Sequence, residues 1–178
     1  KMSVEAGFPG IYLVANVNEN SIKKEVMLQK GYDAVCYCDI LGHAQQNRNT
    51  FKHKVFKHLQ GILLNRPTHV YDYSKHYKEL IGEIDKDENV IPQIVPQWDH
   101  SPRGGRKTNM YIHSTPEYFA KHVRMAMEAI KGKKEEHQIL MLKSWNEWAE
   151  GNYMEPDMTH GRGYIDALRQ VVDEYKKR

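Results

Sequence analysis

The chain has 178 residues, with 26 Lys and Arg against 23 Asp and Glu, and a formal net charge of only +3. That length suits one domain, 1–178, and 40% hydrophobic residues can fill a core, while so small and mixed a charge gives no nucleic-acid footprint. The composition also excludes a disordered chain, the longest apolar runs fall short of the roughly 18 residues of a membrane span, and two cysteines, Cys36 and Cys38, exclude a disulfide scaffold.

The opening residues, Lys1 to Ala6, lack the pattern of a signal peptide, so a cytoplasmic location is expected. A strand-like run, Ile11–Ala15, follows almost at once with no capping element ahead of it, and the sequence reads as a piece of a longer protein. A helix capped by Asn20 or Ser21 runs to Lys30 and stops at Gly31. Ala34–Tyr37 is a second buried strand. Phe51, Val55, Leu59 and Ile62 mark a helix, and Tyr77, Leu80, Ile81 and Ile84 mark another. Val90–Pro96 is a third strand. Ser114, Thr115, Pro116 and Glu117 start a helix whose buried stripe is Phe119, Val123, Met127 and Ile130. Ile139–Leu142 is the fourth strand, and Tyr164, Leu168, Val171 and Tyr175 line the last helix.

Strands alternating with helices predict a parallel α/β sheet. Two architectures fit: a small doubly wound sheet, or half of a (β/α)8 barrel, since this chain holds about four of the eight units that occupy about 250 residues. In both, the carboxyl ends of the strands carry the site. Each apolar run ends in polar residues there: Asn16, Asp39, Trp98 with Asp99, and Asn146 with Glu147.

The richest segment runs from Lys143 to Asp157. Glu147 follows an apolar run, and Glu150, three residues on, shares its face if the segment turns helically. Two carboxylates flanked by Trp145 and Trp148 suit carbohydrate chemistry, in which one acid is kept protonated by an apolar neighbourhood and the other stays ionised. The indoles are expected to stack on sugar rings and Asn146 to bond a hydroxyl. The structural alternative is an acidic loop with two core tryptophans. Asp99 is a candidate for substrate hydroxyls, Arg103 for an anionic group or for holding Asp99, and Glu155 for a place in the cleft. Asp85-Lys86-Asp87 imitates a metal-binding Asp-x-Asp, yet it precedes a strand and belongs on the opposite rim. His53 and His58 are five apart on a helix, off the spacing of one face, and no His-Glu-x-x-His occurs. Cys36 and Cys38 point to one side of their strand as free thiols. No metal or cofactor is expected, and neither phosphate-binding glycine motif is present.

Trp145-Asn146-Glu147-Trp148-Ala149-Glu150-Gly151, followed by Met154-Glu155-Pro156-Asp157 and Gly161 to Leu168, resembles the C-terminal signature of WbsX-type glycosyltransferases of polysaccharide biosynthesis. These are similar to the endo-α-mannosidases of glycoside hydrolase family 99. The resemblance extends back through Pro96 to Arg103, His113 to Glu117, Val70 to Tyr73 and Gly31 to Val35. It implies a (β/α)8 barrel of which this chain supplies the C-terminal half, and a retaining reaction. By that resemblance Glu147 is a base on the sugar 2-hydroxyl, giving an anhydro-sugar, and Glu150 is the general acid/base. The usual retaining scheme differs, because there a carboxylate is itself the nucleophile.

Three functions compete. One is a metal-free glycan-processing enzyme; the second is a nucleotide-sugar glycosyltransferase of lipopolysaccharide assembly; the third is a non-catalytic glycan-binding fragment. The expected partner is a glycan or oligosaccharide. Half a barrel leaves two strand edges open, so a second copy or an N-terminal half is also expected.

Overall fold

The computed structural model describes residues 2–18, 22–38, 69–105 and 108–177. The helix expected around Phe51 to Ile62, and with it His53, His58 and the candidate Asp39, lies outside these residues.

After a short helix α1 (Met2–Glu5), strand β1 (Val14–Val17) pairs in parallel with β2 (Ala34–Tyr37), Ala15 opposite Val35. Helix α2 (Lys24–Gln29) connects them. Its N-cap is Lys23, which makes no side-chain cap bond; Gly31, at φ +90°, takes the left-handed turn that ends it. The first strand thus sits three residues later than the apolar run suggested, and Ile11 and Leu13 are exposed. The next parallel neighbour of β2 is the Val90 segment, joined through a Val35–Val90 bridge. It continues into β4 (Gln93–Ile94), which pairs in parallel with β6 (Met141–Leu142). The four apolar runs therefore lie side by side in chain order. They form an open array among the described residues, not a closed barrel.

Both faces of this array are covered, as its lack of polar alternation requires. Val35 joins Ala15, Val17, Met27 and Val90 on one face, and Ala34 and Cys36 join Ile91 on the other. Burial pushes the Cys36 thiol up to about 12, which keeps it a protonated, inert core group.

Between β2 and β4 the chain makes a further strand that the apolar pattern did not show. β3 (His69–Asp72) pairs in parallel with β5 (Asn109–Ile112). The helix expected over Tyr77 to Ile84 is broken: α3 (Tyr73–His76) passes into a 3-10 turn at Tyr77–Glu79, and a second 3-10 turn begins after Gly82. Asp85 accepts a hydrogen bond from the Gly82 amide at 2.7 Å, so the first acid of the Asp-x-Asp is a local cap. Asp87 pairs with Lys24.

Helix α5 (Pro116–Ile130) starts as expected, with Thr115 accepting from the Tyr118 amide. It packs on α6 (Gly163–Lys176) through Phe119, Val123, Ala126, Tyr164 and Val171. Full burial of Phe119 and of each valine contributes about 1.5–3 kcal/mol apiece. Arg124 clamps the pair by a bidentate bond to Glu174, at 3.0 and 2.9 Å. No helix among the described residues is long and apolar enough to cross a membrane.

Candidate active site

Because the four strands run in parallel, the segments leaving β1, β2, β4 and β6 emerge on one rim. On it, Asn16 is exposed and accepts a hydrogen bond from the Cys38 thiol at 2.8 Å. The segment after β4 carries Trp98, Asp99 and His100, then helix α4 (Ser101–Gly104) with Arg103. The segment after β6 forms a tight antiparallel hairpin, β7 (Asn146–Glu147) and β8 (Asn152–Tyr153), closed by a 3-10 turn at Trp148–Glu150.

Asn152 braces these two segments. It is fully buried, and its amide donates to the Gln97 carbonyl at 2.6 Å and to the Lys143 carbonyl at 3.0 Å. The hairpin is further tied down by the Asp99 amide, which donates to the Glu150 carbonyl at 2.8 Å. Gly151 follows in the left-handed region, φ +51°.

Glu147 and Glu150 meet at one cation. Arg103 Nη1 lies 3.0 Å from Glu150 Oε1 and 3.8 Å from Glu147 Oε1, and His100 Nε2 lies 3.3 Å from Glu150 Oε1. Arg103 thus serves the carboxylate pair and does not hold Asp99, whose Oδ1 instead accepts from the Ser101 amide at 2.9 Å. Glu150 is the more buried acid, with 19% of its side chain exposed against 43% for Glu147.

The two tryptophans are not core residues. Trp145 and Trp148 are 50% and 48% exposed. One face of Trp148 stacks on Tyr153 at 3.7 Å and 13°, and its indole N–H donates to Glu155 at 2.5 Å, which fixes the ring as a rigid platform. Glu155 is therefore an orienting group for Trp148. Trp98 packs beside His100, with Lys143 Nζ 4.5 Å from its ring centre. Asn146 is exposed on β7.

Sequence spacing gave no signal for His100, Asn152 or Tyr153, each of which meets its partner only through the fold. No cluster of three or more His, Cys, Asp or Glu able to hold a metal occurs among the described residues.

The chain thus has a mixed α/β fold that carries a pair of carboxylates on one arginine, beside two exposed indoles. The chain belongs to the WbsX glycosyltransferase family, whose model matches residues 1–168. It is similar to two proteins called uncharacterized protein WxcX from Xanthomonas campestris pv. campestris. With that of strain B100 it shares 29% identity over 104 residues, 58% of this chain and 15% of the relative. With that of strain ATCC 33913 it shares 32% over 101 residues, 54% of this chain and 14% of the relative. The match thus spans about one seventh of these relatives. Among solved structures, a glycoside hydrolase-like protein superposes with a TM-score of 0.52 at 14% identity, over 95% of this chain and 46% of the other.

Proposed function

We propose that this chain is one domain, 1–178, forming the site-bearing half of a (β/α)8 barrel that breaks or transfers glycosidic bonds, with Glu147 and Glu150 as its acid–base pair. The observation that carries this reading is the convergence of both carboxylates on Arg103, at 3.8 and 3.0 Å, beside the exposed Trp145 and Trp148. Glu147 removes the proton of the sugar 2-hydroxyl as that oxygen closes on the anomeric carbon, while Glu150 protonates the departing glycosidic oxygen. In the second half Glu150 takes a proton from the incoming hydroxyl and Glu147 returns one to the 2-oxygen. A carboxylate accepting from Arg103 acts directly as a base; as an acid it needs a proton first, and His100, at 3.3 Å, is the neighbour placed to deliver it. Trp145 and Trp148 hold sugar rings, and Asn16, Asp39, Trp98, Asp99, Asn146 and Glu155 contact the glycan or those that do.

The half-barrel reading is supported by the four parallel strands in chain order and by the 46% coverage of the solved chain. It is supported as well by apolar surface beyond both ends of the array. Phe8, Ile11 and Leu13 are exposed at 64%, 68% and 46% before β1. Beyond β6 an apolar groove of about 660 Å³ is lined by Leu140, Leu142, Leu168 and Val172. A second half, in the same polypeptide or in another copy, covers both.

Glu150→Gln tests the chemistry. Turnover of a bacterial polysaccharide should vanish while its binding persists; turnover at the parent rate overturns the assignment. The family's description favours a second reading, transfer from a nucleotide sugar. Calorimetry with a panel of nucleoside diphosphates decides it, since measurable affinity is expected only for a transferase.

A further inference from the structure

Beside Asp99 lies a cleft of about 330 Å³ whose lining includes none of Glu147, Glu150 and Arg103. Its walls include Asp99, His113, Ser114, Gly151 and Tyr153. Two features of these walls have no role in the site described above.

His113 has φ +57°, a left-handed conformation rare for a residue with a side chain and costing about 1–3 kcal/mol. Its Nδ1 lies 3.2 Å from Asp72 Oδ1. Asp72 also takes bonds from Ser74 and Lys75, and these, with His113, hold its carboxyl well below the usual range against the opposing effect of burial. An ionised carboxylate only accepts, so Nδ1 donates to it and Nε2, on the opposite side of the ring, is left for another partner. Ser114, next in sequence, has a buried hydroxyl with no hydrogen-bond partner. A buried polar group left unmade costs about 1–3 kcal/mol, so a ligand that satisfies it is favoured.

We propose that this cleft is a second sugar subsite, in which the His113 ring and the Ser114 and Asp99 oxygens hold the hydroxyls of one neutral pyranose. The inference rests on the reading of the chain as a glycan-processing enzyme and adds a ligand position to it. The chemistry selects the ligand. Hydroxyls that both donate and accept match a ring nitrogen, a hydroxyl and a carboxylate oxygen, since Asp99 uses only Oδ1 internally. A phosphate or an acidic sugar meets Asp99 on the wall and Asp72 behind it. The volume is at the small end of the roughly 300–1,000 Å³ of small-molecule sites. Tyr153 lines the cleft and stacks on Trp148, so one tyrosine joins the cleft wall to the indole platform.

The test is protein-observed NMR with the methyl glycosides of glucose, galactose, mannose, rhamnose and fucose, on the parent chain, on Ser114→Ala and on His113→Gly. Neither variant should lose the fold: the hydroxyl has no partner to abandon, and glycine prefers the His113 backbone angle. Thermal midpoints check that. At least one glycoside should shift the Gly151 and Ser114 amides, and each variant should weaken it by about tenfold, the size of one lost hydrogen bond. No shift with any of the five, or equal affinity in the variants, overturns the subsite. Shifts confined to the Trp145 and Trp148 indoles overturn it too, while leaving the assignment of Glu150 intact.

Discussion

The Asp99 amide donates to the carbonyl of Glu150 at 2.8 Å, joining the segment after β4 to the backbone of the proposed acid/base. The contact leaves no room beside it. A Cβ built on Gly151 falls 3.0 Å from Asp99 Cβ and 3.1 Å from its amide nitrogen, and Gly151 is itself at φ +51°. Gly151→Ala should therefore lose about 1–3 kcal/mol from the backbone angle and the crowding. Thermal unfolding will show the loss, and turnover should fall further than stability alone explains, because Glu150 moves with the loop.

Arg103 is an exposed cation, with 55% of its side chain accessible, so its ion pairs contribute little to stability. Arg103→Met should leave the unfolding free energy within about 1 kcal/mol of the parent. Turnover should drop by about 100-fold, the scale of a misplaced reacting group. Parent-like turnover in a folded variant would show that the carboxylates do not depend on it.

Asn152 carries the opposite balance. Asn152→Ala strands the part-buried Gln97 and Lys143 carbonyls, and each abandoned group costs about 1 kcal/mol. A large fall in denaturation midpoint, with weakened glycan binding in the surviving folded fraction, is the expected result. Asn152→Ala with parent stability would remove the brace from the account.

Trp148→Ala should weaken polysaccharide binding by about tenfold, since it removes a platform fixed by Tyr153 and Glu155. Glu155→Gln, which keeps an acceptor for the indole N–H, should weaken it far less. Affinity electrophoresis in gels containing the polysaccharide separates the two outcomes.

His122 makes stability depend on pH. It is fully buried against Tyr73, whose hydroxyl lies 2.9 Å from Nδ1, and burial lowers its pKa from 6.5 to about 4. Below pH 6.5 the unfolded chain takes a proton that the folded chain refuses, so stability is full above 6.5 and is lost as the pH falls toward about 4. The loss amounts to about 3 kcal/mol. His122→Gln should flatten that part of the curve measured by urea titration across the same range; an unchanged slope would assign it to the carboxylates.

The four apolar runs and the Glu147–Glu150 spacing were readable because burial on both faces and a tight turn leave local traces. The β3–β5 pair left none: each strand is four residues long and buries a single tyrosine, Tyr71 or Tyr111, among partly exposed neighbours of mixed polarity. Gly82 broke a helix whose apolar spacing looked continuous. Likewise His100 finds Glu150, and His113 finds Asp72, only across the tertiary structure. Arg103 was read as a candidate for an anionic group or for Asp99, and its carboxylate partners were not foreseen, since nothing in the order of residues says which acid a cation will face.

The bridge from Val35 to Val90 also governs how the chain can be assembled. Its bonds, Val35 N–H to Asn89 O at 2.9 Å and Ile91 N–H to Val35 O at 2.8 Å, join segments separated by the whole β3 excursion. Closing so long a loop is entropically slow. During synthesis, β1 and β2 must therefore leave the ribosome and wait, with one margin uncovered, until the third member of the array arrives. That uncovered interval follows from connectivity alone and is independent of the chemistry at the rim.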